Sequence, residues 1–239
     1  MRLDLYLYEK GLAESRTLAQ RLIKEGAVTL CGRVCRKPSQ EVEEGSDVSV
    51  DTSGCRYVGR GGYKLEAALS QFSVSVCDRI CLDVGASSGG FTDCLLQRGA
   101  ARVYAVENGS GQLHARLRED PRVISRENTN ARYLTRDSFD EEITLAVMDV
   151  SFISQTLILP ALADVVASGD MITLIKPQFE VGRAHLGGGG IVRDPRARKS
   201  AIDKVVACAE GLGLTVCATI ESPILGGDGN TEYLIHLKK

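Results

Sequence analysis

From residue 79 onward the chain alternates short, near-continuous apolar runs with longer helical patterns: RICLDVG, FTDCLLQRG, RVYAVE, LHARLRE, RVISRE, ITLAVMDV, TLILPALADVVAS and MITLIKP. No other feature narrows the possible folds as much. A strand that is apolar on both faces has to be covered on both, and parallel strands need helical crossovers between them. The alternation therefore predicts an α/β domain with a parallel sheet between two helical layers. A further helix is expected from Asp194–Pro195 to about Gly211, with LTVCATIES and EYLIHLKK closing the chain. Sites in such sheets form outside the carboxyl ends of the strands. Polar residues at strand ends are thus the ones to weigh for function.

Before residue 60 the elements are shorter. A helix fits residues 2–10, with Leu3 and Leu7 one turn apart. A second fits SRTLAQRLIKEG: Ser15 is the N-cap, Leu18, Ala19, Leu22 and Ile23 form the apolar stripe, and Gly26 stops it. Short strands are expected around AVTL and DVSV. The link DTSGCRYVGRGG contains glycines and is short, which suggests a first domain over 1–59 and a second over 60–239. Arg16, Gln20 and Lys24 lie four apart on the second helix with Arg21 adjoining, and Arg33, Arg36 and Lys37 crowd the loop after the first strand. Charge alone reads these as a solvated face and a polar turn. They also suit a small basic surface for a phosphate backbone. The net charge of −2 excludes a globally basic protein, so any nucleic-acid partner needs such a local patch.

In this stretch R-L-D, G-L-x-x-S-R, L-I-x-x-G and K-P-S occur in order over about residues 1–51, and together they resemble an S4 RNA-binding module. The resemblance implies a small α+β fold that binds structured ribosomal or related RNA. Arg16, Arg21, Lys24, Arg33, Arg36 and Lys37 would be its RNA-facing residues.

The stretch CLDVGASSGGFTDCLL joins a strand to a helix through a glycine-rich turn. Gly85, Gly89 and Gly90, with Ala86, Ser87 and Ser88 between them, allow a tight turn and close approach of a ligand. The pattern is neither G-x-G-x-x-G nor a P-loop. Instead Asp83 stands just before the first glycine. A carboxylate there repels a diphosphate but suits a cationic ligand, such as the amino group or sulfonium of S-adenosylmethionine. Glu107 ends the following strand, where α/β nucleotide binders place an acid for ribose hydroxyls. Adenine is expected near ENTNARYL, with Asn130 as a contact. A tight turn beside a solvated acid is the plainer alternative.

Four further residues belong with this turn. Lys176 ends the apolar run in LIKPQFE, where Pro177 is expected to stop the strand. Asp149 ends LAVMDV, Glu232 begins EYLIHL, and Lys64 stands in the helix start GGYKLEAAL. Each alone would ordinarily be a surface residue. Their order, Lys64, Asp149, Lys176, Glu232, resembles the K-D-K-E tetrad of FtsJ-like RNA 2′-O-methyltransferases. Over the whole chain GGYKLEAAL, DVGASSGGFTDCLLQRGA, DVSFIS, LIKPQFE, GGIVRD and GNTEYL resemble the haemolysin-A (TlyA) family, an S4 module fused to an FtsJ-like methyltransferase. The resemblance implies a class I, Rossmann-like methyltransferase fold, S-adenosylmethionine as cofactor, and 2′-O-methylation of ribosomal RNA, usually at cytidine, with ribosomal subunits as partners. Lys176 would accept the 2′-OH proton, Lys64 and Glu232 would position the ribose, and Asp149 would orient Lys176 near the sulfonium. Two places depart from the family pattern. Glu107 stands where Asp is usual, and AHLGGGG (184–190) carries an extra glycine and is expected to be a mobile loop over the cleft.

The eight cysteines contain no C-x-x-C and the three histidines are scattered, so a metal site is not expected and the cysteines read as small apolar residues of a reduced, cytoplasmic protein. No stretch approaches the ~20 apolar residues of a membrane span, and the first residues lack the apolar core of a secretory signal. Hydrophobic residues make up 44% of the chain, spread as in an ordinary globular protein, and a monomer is the default. The rival readings are a membrane-active haemolysin and an RNA-binding assembly factor without catalysis.

Overall fold

The computed structural model describes residues 1–13, 15–43, 45–51 and 56–239, with the side chains of Thr17, Arg21 and Glu25 outside the described residues. The chain divides into two compact units, Met1–Arg56 and Tyr57–Lys239, so the division falls after Arg56 where the sequence suggested residue 59. Local contacts explain the shift. The Val58 N–H donates to Asp93 at 2.8 Å, and a Cβ on Gly59 would meet Gly90 Cα at 3.1 Å. Both partners belong to the second unit.

In the first unit α1 (Leu3–Glu9) and α2 (Arg16–Glu25) pack Leu3, Leu7, Ala19, Leu22 and Ile23 against Val28 and Val42. The Ser15 hydroxyl accepts from the Leu18 N–H at 3.1 Å, and Gly26 closes the helix at φ 81°. Strands β1 (Val28–Leu30), β2 (Arg33–Cys35) and β3 (Val48–Val50) form an antiparallel sheet in the order β2-β1-β3. Leu30 pairs with Arg33 across a two-residue turn, Cys31–Gly32, with φ of 49° and 73°. Such a turn matches the natural twist of a hairpin. Arg33 therefore lies on a strand and not in a loop; a cysteine with left-handed backbone gives no warning of it in sequence.

The second unit runs α3 (Gly61–Gln71), β4 (Ile80–Val84), α4 (Gly90–Gln97), β5 (Arg102–Val106), α5 (Ala115–Arg118), β6 (Val123–Arg126), β7 (Leu145–Met148), α6 (Leu159–Val165), β8 (Asp170–Ile175), α7 (Pro177–Glu180), α8 (Pro195–Gly211), β9 (Thr215–Glu221) and β10 (Tyr233–Lys238). Its sheet has the order β6-β5-β4-β7-β8-β10-β9. The two-residue period of the strands sorts their side chains into two cores. Leu82, Val84, Tyr104, Val106 and Met148 meet α6 and α8 through Leu162 and Val205. Cys81, Val103, Val147 and Ile172 meet α3 and α4 through Leu65, Leu69 and Leu95. Each such side chain, fully buried, contributes about 1.5–3 kcal/mol of transfer free energy.

One expectation needs correction. The sheet is not all parallel: β10 runs antiparallel to both β8 and β9. Strand β8 stops at Ile175, as expected before Pro177, and Pro177 opens α7, where its fixed φ and missing N–H are at home in a first helical turn. The 184–190 run has local structure of its own. It forms two short 3-10 turns, and Gly190 is held by the side chain of buried Asn230, whose Nδ2 donates to the Gly190 carbonyl at 3.2 Å. Among the described residues no helix is long and apolar enough to cross a membrane. No disulfide joins the described cysteines, but of these only Cys81 and Cys94 are buried like apolar residues, while Cys31, Cys77 and Cys217 are exposed. Cys55 lies outside the described residues.

Candidate active site

The reversed direction of β10 brings the site together. An antiparallel strand begins at the edge where its parallel neighbours end. Tyr233 pairs with Ile175, so Glu232, one residue earlier, arrives at the same end of the sheet as Lys176. There the Lys64 ammonium, from the first turns of α3, donates to Glu232 Oε2 at 2.5 Å. Both side chains are nearly sealed from solvent, at 9% and 3% exposure. Gly226 lies against the Glu232 carboxylate so closely that a Cβ there would collide with it.

Asp149 follows β7 and Lys176 follows β8. Their charged groups are in ion-pair contact at 2.6 Å, though not aligned as a hydrogen bond, and the Lys176 ammonium donates instead to the Ser151 hydroxyl at 2.8 Å. Lys176, Asp149, Ser151 and Lys64 line one cavity of about 230 Å³, with the 85–88 loop, Gly90, Phe91 and the 59–61 segment completing its walls. Glu232 reaches this cavity through Lys64.

The glycine turn forms the opposite wall. Gly85 has φ 82°, and a Cβ on it would run into the Asp149 carbonyl, so the turn can lie this close to β7 only without a side chain. Beneath it Asp83 is fully buried. The Thr92 hydroxyl donates to Asp83 Oδ2 at 2.6 Å, and Oδ1 has no partner among the described residues. Burial pushes the Asp83 carboxyl up to about 7, with Asp149 and Glu107 adding like-charge repulsion. An unmatched buried carboxylate oxygen below a glycine cradle suits a ligand bearing positive charge and is hostile to a diphosphate. The residues present thus fit S-adenosylmethionine.

Two expected cofactor contacts are placed differently. Glu107 accepts from the backbone N–H groups of Ser87 at 3.0 Å and Gly109 at 2.9 Å, and so braces the turn. A carboxylate has further lone pairs for a ribose. Asn130 is not in the cavity wall; its Oδ1 caps the 131–133 turn, accepting from the Arg132 N–H at 3.1 Å and from Arg132 Nε at 3.3 Å.

The basic surface of the first unit is organised around a residue the sequence reading overlooked. Asp4 is fully buried and accepts from Arg2 Nε at 2.9 Å, Arg16 Nε at 3.1 Å and Gln20 Nε2 at 2.7 Å. The Arg2 guanidinium, with Gln20 and Arg16, holds its carboxyl well below the usual carboxylate range. Arg16 is thus not a free cation, and Arg2 joins it. Arg36 donates to the Lys24 carbonyl at 3.3 Å, while Lys24, Arg33 and Lys37 are exposed. The side chain of Arg21 lies outside the described residues.

In the second unit the sequence reading also missed Ser151 and Arg60, which line the cavity, and Asp93. Ser151 follows Asp149 by two residues, and that D-x-S spacing at a strand end was the available signal. Asp93 ties Val58, Gln97 and Arg116 together and has no local signature. Among the described residues no group of three or more His, Cys, Asp or Glu is placed to hold a metal ion.

Comparison with known proteins agrees with this geometry. Residues 57–239 match the model of the FtsJ-like methyltransferase family, and residues 1–48 match the S4 domain. The chain is 44% identical to the 16S/23S rRNA (cytidine-2′-O)-methyltransferase TlyA of Mycobacterium tuberculosis over 239 residues, 99% of this chain and 89% of the relative. A solved candidate hemolysin from Streptococcus thermophilus is 44% identical, with a TM-score of 0.80 over 100% of this chain and 88% of that one. An S-adenosylmethionine dependent methyltransferase from Mesorhizobium loti is 13% identical, with a TM-score of 0.55 over 76% of this chain and 100% of its own, and shares the fold alone. This chain belongs to the FtsJ-like methyltransferase family, in the form that carries an S4 domain ahead of the methyltransferase domain.

Proposed function

We propose that this protein transfers a methyl group from S-adenosylmethionine to the ribose 2′-OH of a cytidine in ribosomal RNA, acting on structured RNA or whole ribosomal subunits in the cytoplasm. The observation that carries the reading is the meeting of two lysine–carboxylate pairs, Lys176 with Asp149 and Lys64 with Glu232, at the wall of one cavity whose other side is the glycine turn. The 44% identity to a cytidine-2′-O-methyltransferase over nearly the whole chain supports the substrate class.

When bound, the cofactor supplies an electrophilic methyl on a positively charged sulfur. Asp83, Gly85, Ala86, Ser87, Ser88, Gly89, Gly90, Glu107 and Asp149 are the residues proposed to hold it, whereas Asn130 caps the 131–133 turn and is not among them. A ribose hydroxyl is a weak nucleophile, so its proton has to leave as its oxygen bonds to carbon. Lys176, once its ammonium has given a proton to solvent, takes the ribose proton on the lone pair of the neutral Nζ. Asp149 and Ser151 fix the amine from two sides. The Lys64–Glu232 pair presents a positioned ammonium to the sugar, and its burial keeps the geometry rigid. Arg16, Arg21, Lys24, Arg33, Arg36 and Lys37, together with Arg2, bind the RNA backbone. Most of the acceleration comes from alignment rather than from a metal.

A membrane-lytic role has no observation in its favour beyond the names of several relatives. Incubation of unmodified ribosomal subunits with the protein and methyl-labelled cofactor tests the proposal. Label should appear at a cytidine whose 3′ linkage becomes resistant to alkali, because the 2′-oxygen is blocked. Label on a base, or none, would refute it.

A further inference from the structure

The motif LIKPQFE ends on an acid that the mechanism above leaves unused. Glu180 closes α7, and its side chain is 2% exposed. A carboxylate so buried requires donors, and it has three. Oε1 accepts from the Gln155 N–H at 2.8 Å, while Oε2 accepts from the Ser154 hydroxyl at 2.5 Å and from the Lys204 ammonium at 3.0 Å. Lys204, on α8, also donates to the Ser154 hydroxyl at 3.1 Å and to the Glu180 carbonyl at 3.0 Å. Gln155 is buried too, and its Oε1 accepts from the hydroxyl of Thr173 on β8 at 2.6 Å. The 154–155 segment, α7 and α8 therefore converge on one carboxylate, with β8 tied in through Gln155.

This clamp acts on the loop that serves the cavity. Between β7 and residue 154 lie Asp149, Ser151 and Phe152. The loop is held at its start by the Asp149 N–H, which donates to the Val84 carbonyl at 2.9 Å, and at its end by Glu180. In between, Phe152 adopts a left-handed φ of 64°, a conformation that a phenylalanine keeps only where neighbours impose it. Its ring is 92% exposed and contacts Phe179 at 5.3 Å. The constrained loop directs the Ser151 hydroxyl to the Lys176 ammonium.

We propose that Glu180 is a positioning residue for methyl transfer: by pinning residues 154–155 to the turn that follows Lys176, it sets Ser151 against the amine. The proposal rests on the methyltransferase reading and adds a residue that touches neither RNA nor cofactor. A purely structural role would lower the amount of folded protein without changing the rate per folded molecule. A positioning role lowers that rate while cofactor binding, on the glycine turn, is unchanged.

The test is single-turnover methyl transfer to ribosomal RNA by the full-length chain. Glu180→Gln keeps the shape and one acceptor but turns an amide N–H toward Ser154 and Lys204. Its rate should fall about tenfold or more, with the dissociation constant for S-adenosylmethionine and the RNA KM within about twofold of wild type. Ser151→Ala should also be slow, and the double variant no slower than the slower single one, because both changes break the same linkage. If Glu180→Gln does not fold, Lys204→Met, at a half-exposed position, should show the same selective loss of rate. Wild-type rates in these variants, or losses that multiply in the double variant, would overturn the role of Glu180 alone. No transfer by wild type would refute the methyltransferase reading and this proposal with it.

Discussion

Glu232→Gln should destabilise the methyltransferase domain far more than a typical surface change. Lys64 and Glu232 are more than nine-tenths withdrawn from water and meet at 2.5 Å. Each charge bears a desolvation penalty of several kcal/mol that only its partner offsets. Removing one charge strands the other, at a cost of about 3–5 kcal/mol for such pairs. Glutamine can still accept one hydrogen bond from Lys64, which places the expected loss near the lower end, about 3 kcal/mol. For a domain of this size that is a fall of about 6–12 °C in Tm. Differential scanning calorimetry of the full chain should show it in the larger transition. The double variant Lys64→Met/Glu232→Leu should recover most of the stability, because apolar side chains of similar volume carry no desolvation penalty, yet it should transfer no methyl. A Glu232→Gln domain melting within about 2 °C of wild type would mean that the pair is effectively solvated and that the burial argument is wrong.

Asp83, in the role proposed for it, should make cofactor binding pH-dependent. Its carboxyl is raised to about 7, so the folded protein holds a proton that the unfolded chain gives up near pH 4, and stability falls as pH rises from about 4 to 7. A cationic ligand stabilises the ionised form, so isothermal titration between pH 6 and 8 should show affinity for S-adenosylmethionine rising with pH and proton release on binding; Asp83→Asn should flatten that slope, and an unchanged slope would exclude Asp83. Phe152→Ala should raise the RNA KM about tenfold at constant Tm, since an exposed aromatic beside the cavity offers a base about 1–3 kcal/mol of stacking; an unchanged KM would remove it from the substrate path. Asp4 is depressed, so its contribution to the first unit is fully present above about pH 4 and is lost as the pH falls through its folded value. Asp4→Asn removes the carboxylate that pairs Arg2 and Arg16, so it should steepen the salt dependence of the RNA dissociation constant; an unchanged slope would show that neither arginine contacts phosphate.

Much of this architecture can be read from residue pattern because the signals are local. The βα alternation has the two periods that distinguish strand from helix, and the Ser15 and Gly26 caps act within one turn. Asp149 and Lys176 could be expected close together because both follow parallel strands that are neighbours in the sheet. Glu232 was harder. In an all-parallel sheet a residue at the start of a strand sits at the far edge, and only the reversal of β10 returns it to Lys64, 168 positions earlier in the chain. Nothing in EYLIHLKK encodes that reversal; it follows from packing β10 between β8 and β9. Pro177 was legible as a strand stop but not as the start of α7, because proline suits both with the same fixed φ. The anchoring roles of Asp4, Asp93 and Glu180 were invisible because each depends on donors from separate elements. Residues 184–190 looked loose on their glycines alone, and what holds Gly190 is Asn230, forty residues on.

The central claim is that the Lys176 amine takes part in the reaction itself. Its most direct measurement is single-turnover methyl transfer to unmodified ribosomal RNA by Lys176→Met, alongside equilibrium binding of S-adenosylmethionine to the same preparation. The account predicts wild-type cofactor affinity and a transfer rate lower by at least about 100-fold, within the usual range for loss of a general base. A Lys176→Met protein that binds cofactor normally and methylates ribose at the wild-type rate would contradict it.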